Sequence, residues 1–178
     1  MKIFIETEKF ILREILETDV EGMYALDSDP EVHKYLGNNP IASMDAALAT
    51  IQHVRKQYEA NGIGRWAIID KASNEFVGWA GLKYEQNLRT NINYYDIGYR
   101  LLRKYWGKGI ASEAAKVSLE YGFNQLNINE IFAAAQVDNA ASNKILTNIG
   151  LKFVETFEFR GAVNNWYKLN KSDYPLNH

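Results

Sequence analysis

From 95 to 114 the chain reads Tyr-Asp-Ile-Gly-Tyr-Arg-Leu-Leu-Arg-Lys-Tyr-Trp-Gly-Lys-Gly-Ile-Ala-Ser-Glu-Ala, and the residues with chemical potential are two glycines set among cations. Gly107 and Gly109 free the backbone from Cβ obstruction, so that main-chain N–H groups can converge on a ligand. An apolar stripe follows, with Ala111, Ala115, Leu119 and Phe123 recurring every fourth residue as on one face of a helix. The first N–H groups of a helix lack internal partners, and its dipole favours an anion there. Arg103, Lys104 and Lys108 add positive charge to the same few residues. The joint reads either as a phosphate-binding turn or as a glycine-eased connection with a solvated basic rim.

Two common phosphate loops do not fit. A P-loop requires Gly-x-x-x-x-Gly-Lys-Ser/Thr, but Leu102 and Gly109 occupy its first and last positions. The dinucleotide fingerprint finds Gly107 and Gly109, but Ser112 stands at the third glycine, and no acidic residue closes a following strand. An NAD-dependent oxidoreductase is therefore a poor reading. Upstream, Ile97, Tyr99 and Leu101 alternate with Asp96, Gly98 and Arg100, which predicts a strand with one buried face.

The stretch resembles motif A of the GNAT superfamily of N-acetyltransferases. Its pyrophosphate loop, Gln/Arg-x-x-Gly-x-Gly/Ala, is matched by Gly109 and Ala111, while Trp106 stands where Gln or Arg is usual. Tyr-Trp-Gly-Lys-Gly is similar to the form found among ribosomal-protein N-terminal acetyltransferases. A second run, Asn139-Ala-Ala-Ser142-Asn-Lys-Ile145-Leu146 up to Gly150, resembles motif B of the same family. Thr147 and Asn148 replace the usual Glu and Lys there, and Leu151 replaces a Phe.

The resemblance implies acetyl-CoA as co-substrate and no metal. It assigns the pyrophosphate to Trp106, Gly107, Lys108, Gly109, Ile110, Ala111 and Ser112, and the pantetheine to Tyr99, Arg100, Leu101, Asn139, Ser142 and Lys144. A backbone N–H, that of Leu101, would face the thioester carbonyl. Leu146 lies where many members carry the tyrosine that protonates the departing thiolate. Ser142 is its implied substitute as general acid, against a plain reading as a residue of the first helical turn. For the general base the position that carries Glu in some relatives is Tyr95, with Asp96 beside it. A strand points these two to opposite faces; Asp96 or a water relay is favoured, with Glu85 and Glu31 in reserve.

Other elements must hold these residues in place. Residues 10–14 read as a first strand, and Asp19 as the cap of a helix to about 27. Asp29-Pro30 opens a short helix closed by Gly37, and Ser43 caps a longer one to Ala60, followed by Gly62. Residues 65–69 and 76–84 form a hairpin, 86–93 a polar, mobile loop, and 130–137 an interior strand that returns parallel to the central one. Asn139 caps a helix with Ala141, Ile145 and Ile149 on one face, and residues 153–159 and 165–169 pair at the end. Trp66, Trp79, Tyr94, Tyr95, Trp166 and Tyr167 are available to line an acceptor pocket, although aromatic strand residues are more often core.

With 178 residues, 47% hydrophobic, the chain suits a single domain over 1–178. The resemblance implies an α+β, three-layer fold: a mixed sheet of about seven strands, a splayed central parallel pair and about four helices. A net charge of −2 gives no general attraction to nucleic acid or anionic membrane. The absence of cysteine removes disulfides and acyl-cysteine chemistry, and His33, His53 and His178 show no ligand spacing. No stretch approaches the ~20 apolar residues of a membrane span. A cytoplasmic enzyme is expected, moving acetyl from acetyl-CoA to a primary amine, with the oligomeric state open. The acceptor would be a protein N-terminus or, alternatively, a polyamine or aminoglycoside. A module that binds acyl-CoA without turnover is the reading from another class.

Overall fold

Asp70 accepts hydrogen bonds from the N–H and hydroxyl of Ser73 (2.8 and 2.7 Å), and this Asx-type turn closes the hairpin of β3 (Trp66–Asp70) and β4 (Phe76–Glu85). Around that hairpin the computed structural model, which describes residues 1–175, builds one sheet in the order β1-β2-β3-β4-β5-β6-β8-β7. The other strands are β1 (Ile3–Glu6), β2 (Phe10–Glu14), β5 (Tyr94–Leu101), β6 (Glu130–Gln136), β7 (Lys152–Phe159) and β8 (Ala162–Asn170). Neighbours are antiparallel except β5 and β6, which run parallel. Eight strands and five α-helices are present among the described residues, where about seven and about four are expected from sequence. The additional strand, β1, is short and half exposed, and takes its form from pairing with β2.

Helix α4 (Ile110–Asn124) covers one face of the sheet, burying Ala114, Ala115, Leu119 and Phe123 against Ile97, Leu101, Leu82 and Ile131. The other face is covered by α1 (Val20–Asp27), α2 (Pro30–His33) and α3 (Met44–Asn61), whose Met23, Leu26, Ala47 and Ile51 pack with Ala67 and Ile69. β5 is thus buried on both sides, a departure from the one-faced strand expected from its alternation. Its polar residues face α1 and α2, and Asp96, only 8% exposed, is kept there by a cation.

The caps mostly follow the sequence. Ser43 accepts from Ala46 N–H (3.2 Å), Asp29 from Glu31 N–H (2.9 Å), and Asn139 from Ser142 N–H (3.1 Å) at the head of α5 (Ala140–Asn148). Asp19 differs: it accepts from Leu16 N–H (2.8 Å) and the Arg13 guanidinium (2.7 and 2.8 Å), so it ties α1 to β2 instead of capping it. α2 ends at His33, and Gly37 belongs to the turn beyond, where Asn38 N–H returns to the His33 carbonyl (3.0 Å). On α5 the buried residue is Leu146, while Ala141 is exposed, because the helix leans on β6 and β7 and leaves its first turn open.

The loop at 86–93 is anchored. Leu88 packs on Tyr94, Phe132 and Trp166, and the Arg89 guanidinium lies over Phe157 (4.4 Å) and Trp166 (5.0 Å) while pairing with Glu155. Ile92 is exposed, so one apolar anchor, Leu88, and one stacking cation, Arg89, hold the loop.

Candidate active site

β5 and β6 pair only at Tyr95–Ile131 and Asp96–Phe132, although both strands continue well beyond. From Ile97 onward they separate into a gap. Leu102 N–H donates to the Val77 carbonyl on β4 (2.9 Å), so alternation turns the N–H groups of Leu101 and Tyr99 the other way, into that gap. β5 is followed by a 3₁₀ turn, Arg103–Tyr105, and then by Gly107 and Gly109. The Trp106 indole donates to the Leu101 carbonyl (2.9 Å) and folds this turn back onto the strand end.

Gly109 is the residue before α4 and sits at φ 77°, the left-handed region that only glycine enters cheaply. No side chain caps this helix. The N–H groups of Ile110, Ala111 and Ser112 therefore have no helical carbonyl to meet and stand open to an anion. A Cβ at Gly107 or Gly109 would meet nothing within 4 Å, so the space before the helix is free. Of the nearby cations, Lys104 pairs with Glu75 (2.8 Å) and Arg103 with Asp29 (3.1 Å), whereas Lys108 lies over the Tyr105 ring (5.4 Å). The residues expected from sequence to hold a pyrophosphate are thus brought together at one helix end.

Across the gap lies the first turn of α5. Asn143 donates to the carbonyls of Gln136 (2.9 Å) and Asn139 (2.8 Å), and its Oδ1 accepts from Asn165 (2.9 Å) and the Tyr167 hydroxyl (2.6 Å). Ser142 Oγ lies 2.9 Å from the Tyr99 hydroxyl, which is also 3.2 Å from the Ser142 carbonyl. Sequence reasoning gives Tyr99 only a main-chain role; its side chain bridges the gap to Ser142. Burial pushes the Tyr99 phenol up to about 12, with the Ser142 hydrogen bond opposing. Lys144 is exposed on the same helix.

The opposite face of β5 is a lattice of charges. Arg65 pairs with the Asp96 carboxylate, donates to the Asp96 carbonyl (2.7 Å) and to the Gly81 carbonyl, and lies over Trp79 (5.3 Å). Arg100 lies over the same indole (4.9 Å) and bonds Asp27 (2.6 Å), whose Oδ1 is 3.6 Å from His33 Nε2. Burial raises the Asp96 carboxyl against the pull of Arg65 and Lys83. Burial, and then Arg100, lower His33, with Asp27 opposing. Burial would raise Glu85, but Lys83 (2.6 Å) and the N–H groups of Asn87 and Gln86 leave it lowered.

Asp96 and Tyr95 do point to opposite faces: Tyr95 packs against Tyr84 with the rings tilted (centroids 5.2 Å apart) in the α4-side core. Of the aromatic residues considered for an acceptor pocket, Trp66, Tyr94, Trp166 and Tyr167 are core, which leaves Trp79 beside the charges. Glu31 is exposed on α2. No cluster of three metal-ligating side chains occurs among the described residues, and no helix among them is long and apolar enough to cross a membrane. His178 lies outside the described residues.

A family model described as an acetyltransferase (GNAT) domain matches residues 9–152. The chain belongs to the GNAT acetyltransferases. An uncharacterized N-acetyltransferase, YoaA of Bacillus subtilis, is 30% identical over 173 residues, covering 97% of this chain and 93% of the relative. Among solved structures, a ribosomal-protein-S5-alanine acetyltransferase from Vibrio fischeri superposes with a TM-score of 0.76 at 19% identity, over 98% of this chain and 100% of the other. A spermidine N-acetyltransferase from Vibrio cholerae in complex with CoA and spermine gives 0.76 at 17%, over 94% and 99%. At these identities the two structures share the fold.

As a GNAT acetyltransferase the protein takes an acetyl group from acetyl-CoA. Its residues fit that co-substrate. An uncapped helix start with free space before it suits a diphosphate, and a gap edged by unpaired strand N–H groups suits an amide-bearing arm.

Proposed function

We propose that this GNAT acetyltransferase modifies the α-amino group of a protein or peptide in the cytoplasm. The observation that carries this reading is the state of the carboxylates on the α1 side of β5. Asp27, Asp29, Asp96 and Glu85 each already hold a cation: Arg100, Arg103, Arg65 and Lys83. A polyamine spreads several ammonium groups and needs several free carboxylates to repay their desolvation. Glu31, exposed on α2 two residues from the paired Asp29, holds no cation among the described residues and offers one carboxylate to a single ammonium.

In this reading the N–H groups of Gly107, Lys108, Gly109, Ile110, Ala111 and Ser112 grip the pyrophosphate, with the Lys108 ammonium beside them. The gap-facing edge of Tyr99, Arg100 and Leu101 receives the pantetheine, with Asn139, Ser142 and Lys144 on its far side and Trp106 bracing the turn. Leu101 N–H points at the thioester oxygen as charge develops there, a donor worth a few kcal/mol in such sites. Ser142 gives its proton to the departing thiolate. Because Arg65 occupies Asp96 and Tyr95 faces the core, the amine loses its proton through water, with Asp96 holding Arg65 in place.

The test is CoA release from acetyl-CoA with N-terminal peptides, spermidine and an aminoglycoside in parallel. Peptides are expected to give the highest kcat/KM; a higher value with spermidine would overturn the assignment. Ser142→Ala is expected to slow turnover by about 10²–10⁴, and an unchanged rate would remove Ser142 from the chemistry.

A further inference from the structure

Ser142 is held twice over. Its N–H is fixed by Asn139 Oδ1 (3.1 Å), and the turn that carries it is clamped through Asn143 by Tyr167 and Asn165. None of these contacts sets the direction of the Ser142 O–H, because a serine hydroxyl rotates freely about its Cβ–Oγ bond. An acid must aim its proton at the leaving atom. The only side-chain atom bonded to Ser142 Oγ among the described residues is the Tyr99 hydroxyl, at 2.9 Å.

The Tyr99 ring is seated in the α4-side core and reaches across the gap from β5 to α5. Its hydroxyl carries one proton, which it can donate to the Ser142 carbonyl (3.2 Å) or to Ser142 Oγ (2.9 Å), a pair in which either oxygen can be the donor and which is the shorter of the two. With the phenol donating to Oγ, the serine's own proton is turned away from Tyr99 and is free to point into the gap. We propose that Tyr99 is a positioning residue that orients the Ser142 hydroxyl for proton donation to the CoA sulfur. The inference rests on the assignment of Ser142 as the acid. As the C–S bond breaks, its electron pair leaves with sulfur, which takes the Ser142 proton. Ser142 Oγ is reprotonated, through water, by the proton that the attacking amine has lost. Tyr99 remains protonated throughout, in keeping with a phenol pushed up to about 12.

Tyr99→Phe keeps the ring and deletes the donor, while the Asn139 and Asn143 contacts hold the α5 turn where it is. The expected result is a fall in kcat of about tenfold with KM for acetyl-CoA and the melting temperature nearly unchanged. Ser142→Ala is expected to fall further, and the double variant to be no slower than Ser142→Ala alone, because Tyr99 acts only through that hydroxyl. A structural role would instead raise KM, lower the melting temperature and multiply with Ser142→Ala. If Ser142→Ala slows turnover and Tyr99→Phe does not, or if the two effects multiply, the Tyr99 inference falls and the Ser142 assignment stands. If Ser142→Ala leaves kcat unchanged, the assignment falls and takes the inference with it. Should Tyr99→Phe fail to fold, 3-fluorotyrosine at 99 serves the same purpose. It keeps the ring and the hydroxyl but strengthens the donor, and an unchanged kcat would overturn the proposal.

Discussion

On the α4 side of β5 the groups open to a ligand are main-chain N–H groups, with glycine where the backbone turns left-handed. On the α1 side the groups facing the same strand are side chains, Arg65, Arg100, Asp27 and Trp79, each already engaged by another. The first arrangement costs little to build, because an uncapped helix start is merely left open to water until an anion arrives. The second requires buried charges, which are tolerated only when every partner is in place. One side of the strand is thus left open to an anion by omission, and the other is closed by a lattice of paired charges. Variants that strike the lattice are expected to lose stability, and variants that strike the open helix start to lose coenzyme.

The largest effect is expected from Arg65→Met. It strands the Asp96 carboxylate, and the Gly81 and Asp96 carbonyls lose their donor. Removing one member of a buried pair costs about 3–5 kcal/mol, read as a drop in urea midpoint at unchanged m-value. A variant as stable as the parent would mean that the lattice is ornamental and the contrast between the faces false.

Gly98→Ala strikes the same lattice from the strand. A Cβ there would lie 2.7 Å from Arg65 Nη2, so the guanidinium must move off its partners. Overpacking of this type costs about 1–3 kcal/mol, and Arg65→Met in the same chain is expected to absorb most of that loss, since the clash then has no object. Simple additivity would locate the strain elsewhere.

Gly109→Ala tests the other side. At φ 77° an alanine is strained by about 1–2 kcal/mol, yet its Cβ meets no neighbour. The structural loss is therefore expected to be modest, while the dissociation constant for acetyl-CoA rises by more than the stability change accounts for. Equilibrium dialysis against denaturation midpoints separates the two. Unchanged affinity would show that the helix start is not the grip.

The contrast also explains what was legible in the sequence. The α4 side declares its local structure because its requirements are local: Gly109, the cations and the apolar stripe of α4 lie within one continuous stretch, and backbone geometry restricts which residues serve. The α1 side does not. Asp96 reads as a solvated charge or a base, because nothing in its neighbourhood announces that Arg65, 31 residues earlier, neutralises it. The Tyr99–Ser142 bond spans 43 residues, and Tyr99 looks like any strand tyrosine until α5 is folded against it. The loop at 86–93 reads as polar because its two anchors, Leu88 and Arg89, are only two residues. Trp66, Tyr94, Trp166 and Tyr167 carry no mark that distinguishes core from pocket. Strand alternation sorts residues by face, but only the third dimension says what lies on each.

The smallest expected effect is a pH dependence confined to the α1 side. His33 is 7% exposed, neither ring nitrogen has a hydrogen-bond partner, and burial together with Arg100 holds its pKa below the ordinary 6.5. In the unfolded chain His33 takes up a proton as the pH falls through about 6.5, whereas in the folded chain it resists until a lower pH. The unfolded state binds the extra proton in that interval, so stability is lost as the pH drops from 6.5 toward the folded value, by at most about 1.4 kcal/mol per pH unit. Asp96, whose pKa burial raises, contributes with the opposite sign, because the folded state then protonates first. The difference between parent and variant isolates the histidine from that term. His33→Gln is expected to be less sensitive to acid than the parent between pH 6.5 and 5, measured as urea midpoints across that range. Acetyl-CoA affinity, which the proposed function puts on the other face, should follow no such slope. Identical acid slopes in parent and variant would remove His33 from the lattice. A matching slope in coenzyme affinity would show that the two faces of β5 are not independent.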